Sequence, residues 1–396
     1  MTDKTIKKSL SILKAYCEAE NFKGWDPYDG MNSKVFQALP LKHWDLARLA
    51  WIQGFKRSPI NFRKLLLVPK QHNSKGISLF LLGYCKLYKA ALKGNKNFGT
   101  KEELLIHIEK LTQLLLDMKV EGYSGACWGY NFDWQARRLF LFKKNTPTVV
   151  ATAFCIEALA ESYEITKDKI ILDVILSSAN FVLKDLSRTP HKNGFLFSYS
   201  SIDGNNTVIN ASLLGAKILS FTYKYSNNKA HKEQAFKAVS TACELQNEDG
   251  SWIYGLLPIQ SWIDSFHTGF NLDAIKSYQE NTGDTSFEEY INKGLEYYVA
   301  NFFEVDGMPK YYHNKTYPID IHCPAQIIVT ASKLNVFQSH KELLEKTLLW
   351  TVNNMQDKKG YFYYQIKKGM SSKISYMRWS NAFMFNAMAH YYLESN

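Results

Sequence analysis

The sequence predicts an all-α fold, an α/α toroid of repeated helical hairpins, and three observations carry that expectation. A motif of glycine and clustered aromatics recurs at spacings of 65, 56, 57 and 53 residues, the mark of a repeat architecture. Amphipathic and more apolar helical segments alternate between the copies, so each unit holds two helices. The composition, 46% hydrophobic and 14% aromatic over 396 residues, supplies material for a large core. A two-helix unit leaves its more apolar helix in need of neighbours on both sides, met by stacking units as an open solenoid or closing them into a ring. Every aromatic loop precedes the more apolar helix, and a ring gathers such loops at one end around its axis. The expectation is therefore a single toroidal domain over residues 1–396.

In chain order, residues 1–13 are polar and Lys-rich, without the apolar stretch of a secretory leader. Between 101 and 118, Leu104, Leu105, Ile108, Leu111, Leu114, Leu115 and Met118 recur at helical spacing. Thr100 with Glu103, Ser286 with Glu289 and Ser339 with Glu342 have capping-box spacing. Hydroxyl and carboxylate there satisfy N–H groups that a first turn leaves free. Segments 170–186 and 230–245 continue the amphipathic series. The aromatic loops are Cys127-Trp128-Gly129-Tyr130, Gly194-Phe195-Leu196-Phe197-Ser198-Tyr199, Gly250-Ser251-Trp252-Ile253-Tyr254 and Gly360-Tyr361-Phe362-Tyr363-Tyr364. Gly307-Met308-Pro309-Lys310-Tyr311-Tyr312 is a weaker copy. They lead into apolar helices at 148–160, 208–221, 266–278, 379–392 and 322–334 respectively. The helix at 379–392, rich in Met, Phe and Tyr, reads as the one that closes the ring.

The formal charge of +11 favours anionic partners. Basic clusters occur at Lys56/Arg57, Arg63/Lys64, Arg137/Arg138 and Lys143/Lys144. None is a dense tract, and no zinc-finger, RNA-binding or helix-turn-helix pattern accompanies them. The expected partner is an acidic glycan or a lipid-linked sugar, with no nucleic acid. No run of about 18 apolar residues occurs, so no transmembrane segment is expected and any contact with a membrane surface is peripheral. Six cysteines stand far apart with no C-x-x-C pair, which suits free thiols in a reducing cytoplasm. Oligomeric state stays open.

Gly250-Ser251-Trp252-Ile253-Tyr254 followed by Asp264-Ser265-Phe266-His267-Thr268-Gly269-Phe270 resembles repeats of the α/α-toroid superfamily. That group holds six-hairpin glycosidases, polysaccharide lyases, sugar epimerases, terpenoid cyclases and protein prenyltransferases. Gly24-Trp25-Asp26-Pro27-Tyr28-Asp29-Gly30 and Tyr376-Met377-Arg378-Trp379-Ser380-Asn381-Ala382-Phe383 look more specifically like VpsJ-like bacterial polysaccharide biosynthesis proteins. The resemblance covers nearly the whole chain. It implies the toroid and a role in exopolysaccharide or capsule production, and it names no reaction.

Alignment of the repeats on their apolar helices brings Ala151, Asn210, His267, His322 and Ser380 into register, with Thr148, Thr207, Asp264, Asp320 and Arg378 just upstream. Helix N-termini favour anions, so polar variety there reads as a site. Thr148, Thr207 and Asp264 are equally natural N-caps. The catalytic candidates are Asp264, His267, Asp320, His322 and Arg378. In one scheme a His or Tyr removes the proton α to a uronate carboxylate while Arg378 neutralises the enolate, which is lyase or epimerase chemistry. In another, two carboxylates among Asp26, Asp29, Asp133, Asp264 and Asp320 flank a glycosidic bond. Trp128, Tyr130, Trp252 and Tyr254 are candidate stacking platforms, or else packing at hairpin corners. Trp379, Asp26, Asp29 and Asp133 complete the substrate-binding set. No cofactor is expected. Asp264, His267, His322 and Cys323 have the donor types of a mixed zinc site, but the Asp-x-Cys element of toroid prenyltransferases is absent and no metal is assigned. A non-catalytic glycan-binding module and an isoprenoid-handling toroid remain as alternatives.

Overall fold

The glycine of each aromatic loop sits where a neighbouring helix backbone leaves no room for a side chain. A Cβ on Gly194 would collide with Lys237 and Thr241, on Gly250 with Lys293, on Gly307 with Lys346, and on Gly360 with Ile12. Gly250 also has φ +88°, a left-handed conformation that costs glycine little. In the first unit the equivalent residue is Gly125, pressed on Ser177, four positions before the Gly129 that the sequence spacing selects. These approaches lock each loop against the outer helix of the next hairpin.

The computed structural model describes residues 2–136, 141–202 and 204–395. The chain opens with α1 (Thr2–Ala19), a short α2 (Lys34–Ala38) and α3 (Asp45–Arg57). Five hairpins follow, each an inner and an outer helix. They are α4 (Ser74–Leu92) with α5 (Lys101–Asp117), α6 (Val149–Thr166) with α7 (Lys169–Asn180), and α8 (Ile209–Ser226) with α9 (Lys229–Glu244). Then come α10 (Ser265–Thr282) with α11 (Glu288–Phe302), α12 (His322–Lys333) with α13 (Lys341–Met355), and finally α14 (Phe383–Glu394).

The inner helices α4, α6, α8, α10, α12 and α14 pack each on the next, and α14 packs back on α4. The ring is closed. α1 packs on α13 and α14, and Gly360 meets it as Gly250 meets α11, so the first helix is the outer partner of the last. Burial follows this plan: α6 is buried almost all round from Val149 to Ala160, whereas α5 buries Leu104, Ile108, Leu111 and Leu115 on one face.

Of the three capping boxes, Thr100 and Glu103 form theirs, at 3.3 and 2.8 Å. Ser286 instead donates to Asp284 and Ser339 to the Val336 carbonyl, and the helices begin after Phe287 and His340. A nearer acceptor in the preceding turn wins both hydroxyls.

The loops are more extended than a helical reading expects. β1 (Trp134–Gln135) pairs antiparallel with β2 (Leu141–Phe142), and β3 (Arg188–His191) with β4 (Gly194–Phe197). β5 (Ile319–Asp320), β6 (Tyr363–Lys367) and β7 (Met370–Ser375) form one antiparallel sheet. Bridges Thr148 to Ser200, Val208 to Gly255 and Asp264 to Tyr312 tie successive loops together at the N-terminal end of the inner helices. Arg137 and Arg138 of one basic cluster lie outside the described residues.

Two turns into α6, α8 and α10, about 12 Å along them, and at the last residue of α12, a largely buried quartet joins four of the six inner helices. Lys217 of α8 lies 2.8 Å from Glu157 of α6 and 3.4 Å from Asp273 of α10. Lys333 of α12 lies 2.8 Å from Asp273 and also pairs with Glu157. Two acids balance two bases. The lysines hold Glu157 down at about 2 despite its burial.

Candidate active site

The first turns of the inner helices open onto one cavity of about 380 Å³. N-caps fix those turns: Asn73 accepts from the Gly76 N–H at 3.3 Å, Thr148 from Ala151 at 3.1 Å and Asp264 from His267 at 3.0 Å. Thr207 caps nothing and donates to Gln260 at 2.9 Å. The capped turns present Lys75, Val150 and His267 to the cavity, and α8 and α12 add Asn210 and His322. A π-helical stretch, Met377–Ala382, precedes α14 and places Arg378 and Trp379 on the same wall.

His267 is oriented from behind. Its Nδ1 lies 2.7 Å from the Asp264 carboxylate, which also accepts the Trp262 indole N–H at 3.0 Å. With Nδ1–H donated to Asp264, Nε2 is the nitrogen left for a ligand. His322 has a different setting. Its ring stacks on Trp379 at 4.1 Å and touches Phe383 at 3.8 Å. Neither ring nitrogen has a hydrogen-bond partner among the described residues, and Nδ1 stands 4.0 Å from Asp320, too far for a bond. Burial, with Lys75, Arg378 and His267 nearby, holds this imidazole well below the usual histidine range. It is neutral.

The carboxylates stand behind the wall. Asp320 accepts from the His322 N–H at 3.0 Å, the Trp379 indole at 3.0 Å and Gln365 at 3.1 Å, and burial pushes it up to about 6. Asp26 holds Arg378 bidentately at 2.5 and 2.8 Å and raises the guanidinium further above its usual range. Asp29 pairs with Arg63 at 2.6 Å and accepts the Asp26 N–H at 2.9 Å. Asp133 accepts the Lys144 N–H at 2.7 Å, away from the lining. Thus His267, His322 and Arg378 share the cavity; Asp264 fixes His267 and Trp262 of its wall, Asp320 fixes His322 and Trp379, and Asp26 fixes Arg378.

The aromatic candidates divide in two. Tyr130, Tyr254 and Trp379 line the cavity, with Tyr254 stacked on Trp262 at 4.6 Å. Trp128 and Trp252 are buried outside it. Their indoles donate to Leu115 and Ala242 carbonyls, both at 2.8 Å, near the ends of α5 and α9. These two are the hairpin-corner packing that the sequence left open. Cys323 is buried away from the lining, and burial pushes its thiol up. Among the described residues no group of three or more His, Cys, Asp or Glu is placed to hold a metal ion.

The sequence reading misses Lys75. It is 4% exposed, lines the cavity, and has no hydrogen-bond or carboxylate partner among the described residues. Its Nζ lies over the rings of Phe154, Phe383 and Phe270 at 4.1, 5.0 and 5.1 Å. Burial, with Arg378 nearby, holds the amine well below the usual lysine range. Lys56 also lines the wall and donates to the Tyr28 hydroxyl at 2.5 Å. Among the described residues, the lining carries Lys56, Lys75, Arg378, two histidines and many aromatic faces, with no carboxylate. Such a cavity suits a ring-shaped anion.

No family model matches the chain, and no curated protein does. Solved structures do. The chain is similar to cellobiose 2-epimerase from Bacillus thermoamylovorans, with 15% identity and a TM-score of 0.62 over 83% of this chain and 90% of that one. An α-mannanase from Bacteroides thetaiotaomicron gives 14% identity and a TM-score of 0.58 over 80% and 86%. An unsaturated glucuronyl hydrolase specific for heparin gives 12% identity and a TM-score of 0.60 over 98% and 97%. At these identities the likeness shows the fold alone, an α/α toroid. The three neighbours are carbohydrate-active enzymes.

Proposed function

We propose that this chain is a carbohydrate-active enzyme that moves a proton at a carbon of an acidic sugar, as an epimerase or a lyase does. One observation carries the reading: two imidazoles in unlike surroundings share a cavity whose described lining holds cations and no carboxylate. Unlike surroundings divide acid from base. His322, held neutral, is the base. His267, its ring oriented by Asp264 with Nε2 toward the cavity, is the acid. Loss of the proton α to a uronate carboxylate builds negative charge on that carboxylate, and Lys75 and Arg378 are the groups to receive it. Reprotonation from the other face gives the epimer; loss of the β-substituent gives the unsaturated product.

Hydrolysis between two carboxylates has less support, because Asp26, Asp29, Asp264 and Asp320 are each committed to a neighbour. The fold neighbours, an epimerase and a glucuronyl hydrolase among them, agree with a sugar substrate. The VpsJ-like resemblance supports a place in exopolysaccharide or capsule synthesis, in the cytoplasm, by one domain spanning 1–396. No helix among the described residues is long and apolar enough to cross a membrane.

The test is incubation with uronate-containing oligosaccharides in D₂O, read by NMR. Exchange at the carbon α to the carboxylate is expected from the wild type and lost in His322→Gln and His267→Ala. Unchanged exchange in both variants sinks their roles. Binding without any exchange would make the protein a glycan-binding module instead.

A further inference from the structure

Residues 34–70 differ from the toroid in composition and in packing. They hold eight Lys or Arg against one Asp, net +7 of the chain's +11. This segment, under a tenth of the chain, thus accounts for most of the net positive charge because it is nearly free of acidic residues. The segment packs around its own small cluster of Met31, Phe36 and Ile52, apart from the ring's core. That cluster is too small to bury the segment's apolar side chains. Trp44, Leu46, Ile60 and Leu65 are 62–74% exposed, and among the described residues eight of the 19 exposed large apolar side chains fall here.

The same segment holds an apolar groove of about 530 Å³ lined by Ala47, Ala50, Trp51 and Gly54 of α3 with Phe62 and Leu66. On α3 the exposed Leu46, Ala50, Gly54 and Arg57 recur at i, i+4, i+8 and i+11, an outward apolar stripe that ends in a cation. Arg48, Arg63 and Lys70 pair with carboxylates. Lys34, Lys42, Arg57 and Lys64 have no such partner among the described residues.

We infer that residues 34–70 form a docking face for an anionic lipid surface. Exposed apolar clusters of this kind mark interaction sites. Trp and Leu mixed with unpaired Lys and Arg match the boundary of an anionic bilayer, where apolar side chains enter the headgroup region and cations meet phosphate. A nucleic acid would use the cations and leave Leu46, Ile60 and Leu65 in water. α3 joins this face to the active site, because its Gln53 and Lys56 line the cavity while its other face lines the groove. Docking thus holds the cavity beside the membrane. That a membrane-borne acidic glycan is then delivered to it rests on the proposed function; the docking does not.

Co-sedimentation of the full chain with two kinds of vesicle tests this, phosphatidylcholine alone and phosphatidylcholine with phosphatidylglycerol. Binding is expected to the anionic vesicles and to weaken with salt. Lys34→Glu/Lys64→Glu and Trp44→Ser/Leu65→Ser should each lower it about tenfold or more, with unchanged unfolding midpoints. Absence of binding, equal binding to both vesicles, or variants without effect overturns the inference. So does self-association in lipid-free solution that the Trp44/Leu65 variant abolishes, since the face then joins two copies of this chain.

Discussion

Replacing Lys75 with methionine should make the protein more stable and its site weaker. The Lys75 amine lies in a residue only 4% exposed, without an acceptor, and its compensation when protonated is three phenyl faces at 4.1, 5.0 and 5.1 Å. Desolvated cation–π contacts are worth about 1–2 kcal/mol each at best, against several kcal/mol for taking an unpaired ammonium out of water. Arg378 adds repulsion. The balance leaves a net cost of roughly 1–3 kcal/mol, and methionine fills the same slot with favourable sulfur–aromatic contacts. The pH dependence identifies the cause. A base held below its ordinary value of 10.5 leaves the folded state with fewer protons than the unfolded one, so the penalty is full at acid pH and fades as pH rises toward 10.5. Urea unfolding of both proteins at about pH 7 and about pH 10 should therefore show a gain of about 1–3 kcal/mol that shrinks at the higher pH. Calorimetric titration with a uronate oligosaccharide should show affinity down about 30-fold or more, the worth of one buried charge-assisted hydrogen bond. A destabilised variant, or a gain equal at both pH values, would refute the reasoning.

Other perturbations follow from the same geometry. Asp26→Asn breaks the buried bidentate pair with Arg378 and should cost about 3–5 kcal/mol in denaturant unfolding. Gly250→Ala sets a methyl group against the Lys293 carbonyl at φ +88° and should cost roughly 3 kcal/mol or more by the same measurement. Glu157, lowered from 4.5 to about 2, contributes on the order of 3 kcal/mol above pH about 4.5, lost as pH falls toward 2. Glu157→Gln should flatten that acid limb of the stability curve. Asp320 is shifted the other way, from 3.8 up to about 6, so its protonation favours the folded state as pH falls from 6 toward 4. Because it accepts the Trp379 indole, a fluorescence titration should inflect near pH 6 in the wild type and lose that inflection in Trp379→Phe.

The sequence announces the ring plainly because its repeat has a steric cause. Each loop glycine presses on a helix of the next unit, so its spacing is the spacing of hairpins. The sixth inner helix, α4, escaped the register because residues 34–70 separate it from the glycine-aromatic segment at Gly24-Trp25, and Lys75 escaped with it. In Asn73-Ser74-Lys75-Gly76 the lysine reads as an exposed first-turn residue. What turns it inward is ring closure, a contact between residues some 300 apart that no local pattern records. The same register did place His267, His322 and Arg378, because position within a repeat translates directly into position around an axis. It could not separate Trp128 and Trp252, which bond to helix-end carbonyls, from Tyr130 and Tyr254, since all four occupy the same kind of loop. Asp26 reached Arg378 across the whole chain, a pairing invisible in either motif alone.

The pairing of the first helix with the last sets a timetable for synthesis. α4 leaves the ribosome roughly 300 residues before the α14 that covers its flank, a delay of about 15–60 s at ordinary elongation rates. For most of that time the apolar flank of α4 and the buried face of α1, with Ile6, Leu10 and Leu13, lack the helices that cover them, α13 and α14. Nascent chains of this protein should therefore depend on holdase chaperones until residue 383 and beyond emerge. A premature stop before α14 leaves two uncovered edges at once, a species primed to aggregate.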